Sequence, residues 1–296
     1  MESKIYYIVN SFGEMAFEGN PAAVFFDCED LNESTMQAIA KQLNLVETVF
    51  IKQGDKDIDF EVRYFTPNKE VDIAGHPTVA SFIALEKANK IDISLKDKFL
   101  IKTKAGNKQV RIKKESNKKI VILESKKTIF YDYVEERNQV AQVLGLNLSD
   151  LIEDLPVQPI DTGLGHLVVP VKSLNTLMKV KRDNRLKELC SKFGMNEAQV
   201  FTFDTYNKTL DIHTRNICPR EGIEDPGCGI GNAALGAYIL KNKFCSAENI
   251  TLKAEQGLIV NMPCIIEIYV SKIGDNFNVC IGGTGKVMSK GEFYID

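Results

Sequence analysis

Apolar residues along the chain fall into short alternating runs set apart by Gly, Asn, Asp and Lys, with a few longer stretches at helical spacing between them. Residues 5–9 and 23–26 predict strands. Met36, Ile39, Ala40 and Leu43 share one face of a helix over 35–43, which Asn32 or Ser34 would cap. Strands follow at 46–51 and 60–65. From Gly75 the stretch GHPTVASFIALEKANK has the small and apolar character of a helix buried on most sides. Over 91–123, β runs such as FLIKTKAG and KKIVILES alternate with turn residues and predict hairpins. The period is lost over 125–133, the predicted crossover between lobes, and then the plan repeats. Helices are expected at 135–144 and 185–193, the second closed by Gly194, with strands at 199–203 and 210–214. A second small-residue helix over about 231–241 and terminal β hairpins complete the chain.

The repetition extends to particular residues. RYFTPNKEVDIAGHPTVASFIALEK, from Arg63, and RNICPREGIEDPGCGIGNAALGAYILK, from Arg215, both run Arg, a Pro, an acidic residue, a Gly-containing turn and an Ala-rich helix. The offset between the copies grows by two between the arginines and the pair Gly75 and Gly229, which places two extra residues at Asp225-Pro226. Upstream, MQAIAKQLNLVETVF resembles LKELCSKFGMNEAQVF and sets Glu47 opposite Ala198 or Gln199, so that a base would come from one lobe only. Three segments in order at nearly one offset read as a duplication. Two such copies are expected to pack about a pseudo-twofold axis with equivalent helix starts facing one another.

The 296 residues, 44% of them hydrophobic, suffice for two cores. A net charge of -3 from 37 basic and 40 acidic residues, with no long block of one sign, gives no electrostatic reason to expect nucleic acid. No stretch approaches the roughly 20 apolar residues of a membrane span, and the first residues read as a strand rather than a leader, so no membrane partner is expected. Seven widely spaced cysteines without a C-x-x-C pair argue against a disulfide framework and a structural zinc site, and three histidines against a histidine-rich metal centre. The expectation is a cytoplasmic protein without metal.

Candidate chemistry gathers at the two glycine turns. A helix N-terminus carries roughly half a positive charge and free N–H groups, and Gly75, Gly227, Gly229 and Gly231 would let backbone approach a carboxylate or phosphate there, unless these glycines serve only helix packing. Glu47, among apolar neighbours in LNLVETVF, is either a buried acid/base or a residue on the solvent face of an edge strand. His76 stands where it could move protons or bind substrate, or else cap the helix or serve as a core residue. Asp225 binds a polar substrate group or caps its turn. Cys228 precedes a helix that would favour its thiolate, although cysteines there also serve as small core residues.

At these residues the sequence resembles the PhzF-like family, the phenazine-biosynthesis isomerase group of the diaminopimelate-epimerase-like superfamily. The matching pieces are EGNPAAVFFD, LVETVF, RYFTPNKEVDIAGHPTVAS, TGLGHLVVPV, RNICPREGIEDPGCGIG, AEQG and IGGTGKVMSKGEF, in family order over nearly the whole chain. The resemblance implies an α+β fold of two pseudo-symmetric lobes, each a mostly antiparallel sheet curled around a central helix. The lobes would be 1–124 and 125–279, with a strand at about 280–296 returning to the first. It also implies cofactor-free isomerisation, with Glu47 moving the proton, and homodimers are common among relatives. By the same resemblance Asn20, Gly75, His76, Asp225, Cys228, Gly229 and Ile230 would contact substrate. The chain departs from the phenazine enzymes at Cys228, Gly229 and Ile230, where they carry Thr-Gly-Ser. The turn resembles the Cys-Gly-x-Gly of two-thiol racemases instead, but Ala74 stands where the first-lobe thiol would be. Three readings follow: an isomerase acting on a small carboxylate through Glu47, a racemase or epimerase using Glu47 and Cys228, and a non-catalytic protein that binds a small acid.

Overall fold

A helix that is apolar on every face is stable only when something covers it on every side, and each half of the chain wraps strands around one. The computed structural model describes residues 2–219 and 223–295, apart from the side chains of Glu2 and Ile223. The described residues form two units, one running to Glu124 and resuming at Gly282, the other Ser125–Ile281.

The first unit contains β1 (Glu2–Ser11), β2 (Asn20–Phe25), α1 (Glu33–Leu43), β3 (Glu47–Gln53), β4 (Phe60–Phe65), β5 (Glu70–Val71), α2 (Gly75–Lys87), β6 (Lys98–Thr103), β7 (Gly106–Glu115) and β8 (Lys118–Glu124). β1 and β2 are antiparallel, β2 and β3 parallel, β3 and β4 antiparallel. β4 takes β5 antiparallel at one end and β6 parallel at the other, and β6 to β8 continue as a meander. α2 packs against β1, β2, β3 and β8 and buries its whole run 76–82. On the opposite face of β3 and β4, α1 sets Met36, Ile39 and Ala40 against Phe25, Phe50 and Phe65. Asn32 caps α1 by accepting from Thr35 N.

The second unit contains β9 (Ile129–Phe130), α3 (Arg137–Val143), β10 (Gln158–Asp161), β11 (Gly165–Pro170), α4 (Leu174–Lys179), α5 (Arg185–Lys192), β12 (Glu197–Thr202), β13 (Ile212–Cys218), β14 (Ile223–Asp225), α6 (Gly229–Asn242), β15 (Asn249–Gln256) and β16 (Cys264–Ile273). β17 (Asn276–Gly283) follows, and β18 (Gly285–Ile295) pairs antiparallel along β1. The pairing order repeats that of the first unit: β11 and β12 parallel, β12 and β13 antiparallel, β13 with β14 antiparallel and β15 parallel, then β15 with β16 antiparallel. α6 packs on β10, β11, β12, β15 and β16. Gly236 lets it approach β16, since a Cβ there would lie 2.4 Å from Ile268 Cγ2. The outer cluster of this unit joins Val140, Leu144, Leu177, Leu186 and Leu189.

Each unit delivers its chain to the central helix through a short hairpin held by an arginine and a glutamate. Arg63 makes two bonds to Glu70, of 2.7 and 2.9 Å, and one of 2.7 Å to Glu33. Arg215 makes bonds of 2.8 and 2.7 Å to Glu224 and donates to the carbonyls of Leu177 and Val180. Glu70 lies seven residues beyond its arginine and Glu224 nine. The two extra residues therefore fall in the connection between β13 and Glu224, and not at Asp225-Pro226 as the sequence comparison placed them; residues 220–222 of that connection lie outside the described chain.

The two clamps differ in burial. The Arg215 side chain is 3% exposed and that of Arg63 30%. Removing one partner of a buried pair costs about 3–5 kcal/mol, and of a half-exposed pair about 1 kcal/mol. Arg215→Met is therefore expected to lower the urea midpoint several times more than Arg63→Met. The transition is followed by circular dichroism, as the chain has no tryptophan. Equal losses would contradict this ranking.

Candidate functional site

In the first unit, Glu47 opens β3 and His76 sits in the first turn of α2. The helix start is fixed from below: Thr78 Oγ1 donates to the Ala74 carbonyl and meets the Tyr64 hydroxyl at 2.7 Å. Ser11 Oγ donates to the His76 carbonyl at 2.6 Å. His76 Nε2 then lies 3.3 Å from Glu47 Oε2, with side chains 6% and 15% exposed. The ring's other contact is the backbone of Pro21, which has no N–H, so the partner is a carbonyl and the ring nitrogen facing it must carry the proton. Burial pushes the His76 pKa down from 6.5 to about 3, with the Pro21 bond opposing, so the ring is neutral at ordinary pH. Nε2 therefore turns a lone pair towards the carboxyl group.

The second unit assembles a related group from different elements. Glu197 opens β12, His166 lies on β11 and Cys228 is the N-cap residue of α6. His166 Nε2 is 3.1 Å from Glu197 Oε2 and 3.8 Å from Cys228 Sγ, while Nδ1 is 2.8 Å from the Leu164 carbonyl. Cys228 Sγ accepts from Gly231 N at 3.3 Å, and Asn232 Nδ2 donates to the Cys228 carbonyl, as Thr78 does to that of Ala74. This is the one place among the described residues where three atoms of metal-binding type come within 4.8 Å. The 3.1 Å contact is a hydrogen-bond separation.

Strand register shows that Glu47 and Glu197 are equivalents. Phe50 pairs with Arg63 and Val200 with Arg215, so counting back along β3 and β12 from those partners reaches Glu47 and Glu197. The counterpart of Glu47 is thus Glu197, and not Ala198 or Gln199, which corrects the expectation that one lobe alone holds a carboxyl group there. An offset of 150 aligns the buried helix positions Met36, Ile39 and Ala40 with Leu186, Leu189 and Cys190 as well as Glu47 with Glu197; the comparison slipped by one residue by matching Phe50 with Phe201 instead of Val200. His166 and Glu197 were both missed as site residues. The available signal was a histidine directly after a glycine turn, at the head of the fully buried strand β11.

The remaining candidates fall as follows. Asn20 is buried at the start of β2, opposite Ser11. Gly75 and Gly229 begin α2 and α6. Asp225 Oδ1 accepts from Gly227 N at 2.8 Å, the turn-capping role. The Ile230 carbonyl accepts from Thr162 Oγ1. Gly231 serves packing, since a Cβ there would lie 2.3 Å from Gln199 Oε1. No helix among the described residues is long and apolar enough to cross a membrane.

Comparison with known proteins bears on this geometry. Residues 9–291 match the family model described as phenazine biosynthesis-like protein. An uncharacterized isomerase of Clostridium acetobutylicum is 33% identical over 98% of both chains. The trans-2,3-dihydro-3-hydroxyanthranilate isomerase of Pseudomonas aeruginosa is 24% identical over 98% of this chain and 99% of its own. A solved Bacillus anthracis phenazine biosynthesis protein of the PhzF family superposes with a TM-score of 0.92 at 27% identity, covering 100% of each chain.

The state of His76 can be read from stability. Its folded value of about 3 lies below the ordinary 6.5, so the unfolded chain takes up the proton first. The stability it contributes is complete above 6.5 and is lost as pH falls towards 3, at up to ~1.4 kcal/mol per pH unit. The stability difference between wild type and His76→Gln, from urea midpoints, is expected to change by that slope in favour of the variant as pH is lowered from neutral. A difference that stays flat would place the histidine's proton elsewhere.

Proposed function

Since the chain belongs to the phenazine biosynthesis-like family, we propose that it is a cofactor-independent isomerase that moves a proton next to the carboxylate of a small substrate, with Glu47 as base and then acid. The observation that carries this reading is the 3.3 Å contact between Glu47 Oε2 and His76 Nε2 at the start of a buried helix. A neutral imidazole facing a carboxyl group keeps the proton within reach of both, and burial keeps bulk water from exchanging it. His76, Asn20 and Gly75 hold the substrate in the first unit; Asp225, Cys228, Gly229 and Ile230 are the corresponding contacts in the second.

The helix starts offer the substrate's negative end an electrostatic reception. Neither α2 nor α6 has an acidic residue in its first turn, and Ala74, at the N-cap of α2, has no side-chain group to bond the free amides. Those amides favour a carboxylate, and they stabilise the enolate-like charge that develops as the proton leaves. The seven cysteines are all free, as a reducing cytoplasm would leave them. A second reading, a racemase or epimerase in which Cys228 serves as the other base, is favoured by the imidazole of His166 beside that thiol.

A panel of small carboxylates, trans-2,3-dihydro-3-hydroxyanthranilate among them, incubated in heavy water and followed by NMR tests the reading. The wild type is expected to exchange or isomerise at least one, and Glu47→Gln to lose about 10³-fold in rate while binding that compound within a few-fold. Undiminished turnover by the variant would rule out Glu47 as the base. Tight binding without exchange by the wild type would identify a small-acid binding protein instead.

A further inference from the structure

We propose that the second unit contains a zinc-binding site made by Cys228 Sγ, His166 Nε2 and Glu197 Oε2. Sequence spacing gives no sign of it. His166 and Cys228 stand 62 residues apart with Glu197 midway, and only the fold gathers them, from β11, the cap of α6 and the first position of β12. Neither the lack of a C-x-x-C pair nor a low histidine count speaks against a group assembled in this way.

The donor atoms stand close to the separations of a tetrahedral ion. Zinc bonds of about 2.1 Å to nitrogen and oxygen and about 2.3 Å to sulfur set nitrogen about 3.4 Å from oxygen and about 3.6 Å from sulfur. His166 Nε2 lies 3.1 Å from Glu197 Oε2 and 3.8 Å from Cys228 Sγ, and all three atoms lie within 4.8 Å of one another. The imidazole is already turned for the role. Its Nδ1 donates to the Leu164 carbonyl at 2.8 Å, the outer contact that fixes a metal-binding ring and leaves the Nε2 lone pair for the ion. The sulfur accepts the Gly231 amide at 3.3 Å, at the positive end of α6, which supports the negative charge a metal ligand carries.

Burial and charge select the ion. His166 is 0% exposed, Glu197 3% and Cys228 7%, and so deep a site tolerates little net charge. One thiolate, one carboxylate and a neutral imidazole cancel a divalent cation; the thiol proton leaves for solvent as the bond from sulfur to zinc forms. Sulfur and imidazole favour zinc over magnesium or calcium, which take oxygen ligands. Three protein ligands leave the fourth corner of the tetrahedron to water or to the carboxylate of a small acid.

Zinc bound there takes the sulfur out of use. Cys228 is a substrate contact in the isomerase reading, and on that reading the metal inhibits turnover. The site itself does not depend on it, since zinc binding is measured without substrate. A protein that binds zinc and isomerises nothing refutes only the isomerase reading, and one that isomerises and binds no zinc refutes only this proposal.

The test is a zinc titration of the chelator-treated protein against a chromophoric competitor. One ion per chain is expected with a Kd below about 10 μM. Cys228→Ser, His166→Gln and Glu197→Gln are each expected to weaken binding by at least ~10-fold. Cobalt(II) in the wild type is expected to give a thiolate charge-transfer band in the near ultraviolet that Cys228→Ser removes. Anomalous scattering at the zinc edge, from crystals grown with one equivalent of the metal, locates the ion without any variant, should one of them not fold. Weaker binding by the wild type, affinity unmoved in any one of the three folded variants, or an anomalous peak away from the three atoms would each overturn the proposal.

Discussion

A main-chain carbonyl can accept a hydrogen bond and never donate one, and that asymmetry fixes which ring nitrogen carries the proton in two of the imidazoles. Pro21 in one unit and Leu164 in the other each take a ring N–H, leaving the opposite nitrogen to confront a glutamate at the first position of a strand. Each unit therefore sets an imidazole nitrogen close to a carboxyl oxygen, at 3.3 Å in the first and 3.1 Å in the second. What separates them is the third member: alanine at the helix cap in the first unit, cysteine in the second.

The scaffold makes such contacts durable. A helix enclosed by strands has little freedom to shift, and its first turn is anchored by bonds from Thr78 or Asn232 to the cap carbonyl. The arginine–glutamate clamps hold the approach hairpins on the far side of the cap. A proton relay between side chains tolerates errors of only a few tenths of an ångström, and neighbours fixed in this way supply that tolerance.

Much of the architecture was legible because it is periodic. The helix over 35–43 and the strand at 60–65 emerge from spacing, and the two small-residue helices from composition, with ends within about three residues. α4 escaped notice because six residues give too short a pattern, and β10 and β11 because strands buried on both faces lose their alternation. In the site, Glu47, His76 and Cys228 stand at positions that glycine turns and the family motifs single out. Glu197 was hidden behind Ala198 by a one-residue slip that matched Phe50 with Phe201, and hydrogen-bond register corrects it. His166 was concealed by its surroundings, an apolar strand that looks like pure core.

The register also bears on ancestry. His166 occupies the place that Ala22 holds in the first unit, each opposite its glutamate on a parallel neighbour strand. Measured from the helix starts, His76 corresponds to Ile230. The glutamate is thus common to both copies while each imidazole is peculiar to one. If one ancestral segment gave rise to both halves, the carboxyl group belongs to the inheritance, and two histidines were recruited to it independently, one from a helix and one from a neighbouring strand.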